Sequence, residues 1–160
     1  MADRFDLVVN GEARQVTATA DTPLIYVLRN QLGLMGTRYG CGQEQCGSCM
    51  VLLDGEPAYA CGRAMDGAAG RTVLTVEGLA NGEALHPLQQ ALLDEQAGQC
   101  GYCLSGILIS AKALLDRDPA PDRAAIVAAL EPHLCRCGAQ PRIIRAIARA
   151  AAALRGEAQP

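Results

Sequence analysis

Eight cysteines are the residues of this sequence with the clearest capacity for chemistry, and they form two groups of four. The first group has the spacing C-x4-C-x2-C-x11-C and consists of Cys41, Cys46, Cys49 and Cys61. A C-x4-C-x2-C series followed by a more distant cysteine is the ligand spacing of plant-type [2Fe–2S] clusters. Glycines crowd the segment 33–47, and a glycine-rich loop can wrap a cluster closely and direct its amides at the sulfurs. The first group therefore predicts a [2Fe–2S] site.

The second group has the spacing C-x2-C-x31-C-x-C and consists of Cys100, Cys103, Cys135 and Cys137. Each pair directly precedes a segment with helical periodicity. Two helix N-termini that face one another would gather four thiolates and present positive dipole ends to an anionic cluster. Paired cysteines are also typical of four-cysteine zinc sites, so spacing alone leaves zinc open for this group.

Other uses of the cysteines fit less well. A disulfide scaffold is disfavoured because the chain is long, lacks the apolar core of a secretory signal and clumps its cysteines. A Rieske centre is disfavoured because His86 and His133 do not occur in C-x-H pairs. We instead expect His86 at a helix start and His133 near a helix end.

Composition excludes several classes of partner. The 160 residues carry a net charge of −3, with no tryptophan and only five other aromatic residues. This gives neither a stacking platform for bases nor an electrostatic attraction to nucleic acid or to an anionic membrane surface. No stretch of some twenty apolar residues predicts membrane insertion. We expect a cytoplasmic protein, with export beside a signal-bearing partner left open.

The elements that must position the first group are those of a compact α+β unit. Alternating residues around the Asn10-Gly11 turn predict a hairpin, and further strands are predicted at 50–53, 58–60 and 72–76. Between them, apolar residues at helical spacing predict a helix over 24–32, capped by Asp21 or Thr22. The segment 77–84 is the predicted linker.

The second group lies in a segment whose periodicity is helical throughout. Helices are predicted around 85–92, 104–115 and 124–130, and a last one runs from Pro141 to Leu154. Arg142, Arg145 and Arg149 fall along one side of that last helix. A solvated face is the plainer interpretation of this strip, and a docking strip for an acidic partner is the alternative.

The sequence also resembles a known family. Residues 39–49 (YGCGQEQCGSC), 99–103 (QCGYC) and 134–138 (LCRCG) resemble the two-[2Fe–2S] iron–sulfur subunit of the molybdenum hydroxylases, the xanthine dehydrogenase family. The resemblance covers nearly the whole chain, and a chain of this length looks like a separate small subunit, similar to those of isoquinoline oxidoreductase and nicotinate dehydrogenase. It implies an N-terminal β-grasp, plant-type ferredoxin-like domain over 1–78 and an all-α four-helix-bundle [2Fe–2S] domain over 79–160.

The same resemblance implies a function. All eight cysteines would be ligands of two [2Fe–2S] clusters, and a large partner subunit would hold the molybdenum–molybdopterin cofactor and the substrate. Gln99 and Cys137 would contact that cofactor. Electrons would enter at the second group and leave from the first towards a flavoprotein, a cytochrome subunit or a soluble acceptor, so this chain itself would hold no catalytic residue. A free ferredoxin-type carrier and a zinc-stabilised interaction protein are the alternatives.

Two positions depart from the family pattern. Glu44 stands where many relatives have glycine, so a positive φ there would strain the loop. Ser105 stands where many relatives have proline, and its hydroxyl is a candidate helix cap. Met35 and Met50 are candidates for either core or interface.

Overall fold

A five-stranded sheet forms the N-terminal part of the protein. The structure is a computed structural model, which describes residues 1–157 of the chain. The strands are β1 (Asp3–Val9), β2 (Glu12–Ala18), β3 (Met50–Leu53), β4 (Glu56–Tyr59) and β5 (Thr72–Leu74), in the order β2-β1-β5-β3-β4. β5 pairs parallel with β1 and antiparallel with β3. Asn10 and Gly11 both have positive φ between β1 and β2, the backbone that a two-residue hairpin turn requires. The predicted hairpin is confirmed.

A short helix crosses one face of the sheet. It begins as α1 (Leu24–Tyr26) and continues as a π-helical segment over Val27–Gln31, so a helix is present where it was predicted. The prediction that Asp21 or Thr22 caps it is wrong, because Pro23 holds the capping position and no side chain caps the helix. The hydroxyl of Thr22 instead accepts from the Thr19 amide at 3.2 Å, closing a local turn.

Four longer helices make up most of the rest of the described chain. They are α2 (Pro87–Asp94), α3 (Leu104–Arg117), α4 (Arg123–Leu130) and α5 (Gln140–Leu154), preceded by a 3-10 turn at Val76–Leu79 that overlaps the predicted linker. His86 caps α2 by accepting from the Leu88 amide at 3.2 Å, which confirms its predicted place at a helix start. The predicted hydroxyl cap at Ser105 is wrong, because the Ser105 Oγ is buried without a hydrogen-bond partner.

Strand β3 joins the two parts of the fold because both of its faces are buried. Val51 and Leu53 pack into the core beneath α1, whereas Met50 and Leu52 pack into the core built by the helices. Burial on both faces explains why β3 reads as an unbroken apolar run. Met50 is thus a core residue, while Met35 is 52% exposed.

The architecture confirms the predicted α+β class with helices after the sheet. The boundary after residue 78 stays a prediction, and residues 158–160 of the predicted second domain lie outside the described part. Among the described helices, none has the length and apolarity needed to cross a bilayer.

The arginines of α5 are engaged within the chain, where they meet the C-terminal end of α2. Arg145 pairs with Glu95 at 3.1 Å. Arg149 pairs with Asp94 at 3.3 Å and also contacts Glu95. Arg142 donates to the carbonyl oxygen of residue 96 at 3.1 Å. These pairs favour an intramolecular role for the strip over a free docking surface.

Candidate metal centres

The first cysteine group is assembled by one loop and one hairpin. Cys41 and Cys46 lie in the loop between the π-helical segment and β3, and Cys49 directly precedes β3. Cys61 follows β4, and the Ala60 amide donates to the Cys49 carbonyl at 3.2 Å, which extends the β3–β4 pairing towards it. The antiparallel hairpin therefore brings the fourth cysteine back to the three of the loop.

The loop directs its amides at sulfur. The amides of Gln43 and Gln45 each donate to the Cys41 Sγ at 3.3 Å, and the Cys41 amide donates to the Cys46 Sγ at 3.3 Å. The Gln43 and Gln45 amides lower the pKa of the Cys41 thiol to about 7. Positive φ at Gly42, Glu44 and Gly47 turns the backbone to make this possible. An amide-lined loop of this kind stabilises thiolates and the anionic group that they would hold.

The loop also approaches sulfur too closely for ordinary side chains. A Cβ on Gly40 would lie 2.6 Å from the Cys46 Sγ, so only glycine fits there. Cys49 is almost fully buried, and this burial raises the pKa of its thiol to about 12. Binding a cationic metal would offset that penalty, because metal coordination deprotonates a thiol outright.

The second group lies where α3 and α5 begin, as predicted. Cys103 occupies the N-terminal capping position of α3, and Ala139, two residues after Cys137, occupies that of α5. The Cys100 and Cys137 Sγ atoms are 3.4 Å apart. The fold thus brings together two pairs that are separated by 31 residues in sequence.

Amides and burial act in opposite directions on these thiols. Burial raises the pKa of Cys103 to about 12. Burial also disfavours the thiolate of Cys135, but the amides of Ala139 and Cys137 help to outweigh it, and the net pKa is lowered. The Tyr102 amide lowers the pKa of Cys100. The amides at the start of α5 therefore suit an anionic ligand set.

Both groups open into one cavity of about 400 Å³. Its lining includes cysteines of each group, namely Cys41, Cys46, Cys100, Cys103 and Cys135. Over residues 1–157, no three His, Cys, Asp or Glu side chains converge to hold a single metal ion. A binuclear cluster does not need such a set, since its four cysteines are shared between two irons. The thiol donors, amide-lined loops and adjoining space fit two [2Fe–2S] clusters.

Direct contacts join the two groups. The Leu134 amide, next to Cys135, donates to the Cys46 carbonyl at 3.1 Å. The Tyr102 hydroxyl, from within the C-x2-C pair, donates to the Tyr39 carbonyl at 2.5 Å. Sequence reasoning assigned no role to these residues, although the position of Tyr102 between two cysteines was an available signal.

His133 lies at the same junction. Its Nε2 is 2.7 Å from the Ser110 Oγ on α3, and burial lowers the pKa of the imidazole to about 4. The sequence predicted a polar residue near a helix end, and His133 does follow the end of α4. The sequence did not predict that the imidazole would be buried. A neutral imidazole therefore packs between α3 and the loop of the first group.

Gln99 and Cys137 are brought together at the surface. The Gln99 Nε2 donates to the Cys137 carbonyl at 3.0 Å, so the side chain of one residue fixes the backbone of the other. Both residues expected to face a partner's cofactor therefore share one small patch.

Comparison with known proteins agrees with two cluster-binding halves. Residues 7–80 match the 2Fe-2S iron-sulfur cluster binding domain, and residues 75–148 match the [2Fe-2S] binding domain. The chain is 50% identical over 151 residues to one of the nicotinate dehydrogenase subunits of Pseudomonas putida, covering 94% of this chain and 96% of that protein. It is 46% identical over 148 residues to the alpha subunit of isoquinoline 1-oxidoreductase from Brevundimonas diminuta, covering 92% and 97%.

Solved structures show the same fold. The crystal structure of quinoline 2-oxidoreductase from Pseudomonas putida 86 includes a chain with a TM-score of 0.91 and 39% identity, covering 98% of this chain and 99% of that one. Aldehyde oxidoreductase from Desulfovibrio desulfuricans matches with a TM-score of 0.94 and 41% identity over 97% of this chain, but over only 17% of its own length. This protein therefore matches a whole chain of quinoline 2-oxidoreductase but only a segment of the longer aldehyde oxidoreductase chain.

Proposed function

Because this chain belongs to the two-cluster iron–sulfur subunits of the molybdenum hydroxylases, we propose that its eight cysteines ligate two [2Fe–2S] clusters that relay electrons out of a partner subunit. Cys41, Cys46, Cys49 and Cys61 hold one cluster in this proposal, and Cys100, Cys103, Cys135 and Cys137 hold the other. When bound, such clusters accept and donate single electrons. The substrate is bound and oxidised elsewhere in the complex.

The observation that carries the proposal is the shared cavity lined by cysteines of both groups. The Leu134 amide binds the Cys46 carbonyl, and only one peptide bond separates Leu134 from Cys135. A short covalent and hydrogen-bonded connection therefore links a proposed ligand of one cluster to a proposed ligand of the other. In this proposal the chain places both ligand sets side by side, which suits stepwise electron transfer.

We propose that electrons enter at the second group. The hydrogen bond from Gln99 to the Cys137 carbonyl supports this direction, because it fixes an exposed patch beside the second group where a partner's cofactor can approach. In this proposal the partner is a large subunit with a molybdenum–molybdopterin cofactor, which Gln99 and Cys137 contact. Electrons leave from the first group to a flavoprotein, a cytochrome subunit or a soluble acceptor.

We also propose that the chain divides into a ferredoxin-like domain at 1–78 and a helical domain from 79 onward. The segregation of the two cores, with β3 between them, supports this division. A cytoplasmic location is part of the proposal, because eight thiols assigned to metal binding fit a reducing compartment. Fractionation of the natural host checks the location.

Native purification tests the proposal. We expect the protein to co-purify with a large partner and to contain about four iron atoms and four acid-labile sulfides per chain. Reduction with dithionite should produce the electron paramagnetic resonance (EPR) signals of two distinct clusters.

Two other outcomes would each favour an alternative. A colourless protein that contains zinc and no labile sulfide would contradict the iron–sulfur assignment. A stable monomer that carries two clusters but has no large partner would favour a free ferredoxin-type carrier. Native mass spectrometry of the purified protein distinguishes this second case.

A further inference from the structure

Glu44 has a backbone conformation that ordinary residues avoid. Its φ is +57°, in the left-handed region, and it lies between Cys41 and Cys46 in the loop of the first group. A glycine would adopt this φ without steric cost. A strained conformation held by a non-glycine residue beside a functional site is a reason to look for a role of its side chain.

The Glu44 side chain is folded back over the first group. A Cβ on Gly62 would collide with the Glu44 carboxylate and would lie 2.7 Å from its Cγ. Gly62 directly follows Cys61, the last cysteine of that group. The carboxylate is therefore packed beside the backbone of one proposed ligand while its own backbone lies between two others.

The charge of this carboxylate is not neutralised by an ion pair. Within residues 1–157, none of the ion pairs includes Glu44. The residue is exposed, so solvent and salt screen its field in part. An unpaired negative charge held beside an anionic cluster disfavours the addition of an electron.

We propose that the negative charge of Glu44 lowers the reduction potential of the first cluster. This inference rests on the proposed function and assigns a separate role to one residue within it. The Glu44 carboxylate lies against Gly62, next to Cys61, so its charge is close to one proposed ligand of the first cluster. Removing the charge should therefore make the first cluster easier to reduce.

The test is a redox titration of the purified complex, monitored by EPR, for wild type, Glu44→Gln and Glu44→Gly. We expect both variants to raise one of the two midpoint potentials. The expected change is roughly threefold or more in the ratio of reduced to oxidised cluster at the wild-type midpoint, which is about 28 mV at 59 mV per tenfold. The difference should shrink at high salt because the carboxylate is exposed.

Glu83→Gln is the matched control, since Glu83 is another exposed carboxylate without an ion pair among the described residues but lies outside both cysteine groups. We expect it to leave both midpoints unchanged. A rise in Glu44→Gly alone would assign the effect to backbone strain and overturn the inference. Unchanged midpoints in Glu44→Gln would overturn it as well. Wild-type protein without clusters would instead refute the proposed function.

Discussion

Gly106 on α3 is the position where one added methyl group should do the most damage to the junction between the two cysteine groups. A Cβ there would collide with the carbonyl oxygen of Gly47 and would lie 3.0 Å from its carbonyl carbon. Gly47 cannot move away easily, because the space on its own Cβ side is filled by the His133 ring and the Pro132 carbonyl. The added Cβ therefore clashes with a backbone carbonyl whose residue is confined on its other side.

The expected loss of stability follows from two opposing effects. Overpacking of a tight site costs about 1–3 kcal/mol, and a rigid backbone clash belongs at the upper end of that range. Replacing glycine by alanine inside a helix stabilises the folded protein by roughly 1 kcal/mol. We expect Gly106→Ala to destabilise the protein by about 2 kcal/mol, which lowers Tm by about 4–8 °C for a chain of this size.

Differential scanning calorimetry of the full-length chain measures this change, with visible circular dichroism reporting on the iron–sulfur clusters. Gly67→Ala is the matched control, because its Cβ would meet no atom closer than 3.4 Å. We expect the control to retain the wild-type Tm and spectrum. If Gly106→Ala has the same Tm as wild type and leaves the spectrum unchanged, the inferred close packing of α3 against the Gly47 loop is refuted.

Three further predictions concern helix ends and charge. Asp122 caps α4 by accepting from the Ala125 amide at 2.7 Å, so Asp122→Ala should cost about 1 kcal/mol in urea denaturation, and an equal loss in Asp122→Asn would contradict a capping role. Burial and the Lys112 charge lower the pKa of His86, and the charge of Asp116 opposes them only in part. Protonation of His86 therefore favours the unfolded state, so the free energy of unfolding should be highest above the ordinary histidine pKa of about 6.5 and fall as the pH drops below it. His86→Asn should weaken but not abolish the corresponding fall in Tm, because His133, whose pKa is lowered to about 4, contributes over the same pH range; a profile identical to that of wild type would refute the contribution assigned to His86. Arg149→Ala should cost roughly 1 kcal/mol, less at high salt, because it leaves two carboxylates at the end of α2 without this partner; a loss that is independent of salt would contradict an ionic role.

Much of the local structure could be predicted from the sequence because its signals are local. The Asn10-Gly11 turn, the helix start at His86 and the helix that begins at Leu104 all depend on residues a few positions apart. The cysteine spacing of the first group is likewise a local pattern within one loop and one hairpin. Local patterns survive folding wherever tertiary packing does not oppose them.

Other features could not be predicted because distant residues decide them. The helical spacing of the arginines on α5 is the same whether they face solvent, a partner or the Asp94 and Glu95 carboxylates at the end of α2. Asp21 and Thr22 have good capping side chains, but the chain enters α1 at Pro23 and the Thr22 hydroxyl is used in a turn with Thr19. The Ser105 hydroxyl is likewise placed by packing, not by its capping propensity.

The sequence by itself determined the proposed donor set of this protein: eight thiols, grouped by spacing into two sets of four, with glycines where a loop must approach sulfur. Only the tertiary structure decided that the two sets open into one cavity. That juxtaposition depends on contacts between residues far apart in the chain, such as the Leu134 amide with Cys46 and the Tyr102 hydroxyl with Tyr39. Spacing along a chain specifies which thiols can share a site, whereas the packing of α3 and β3 sets how near the two sites lie.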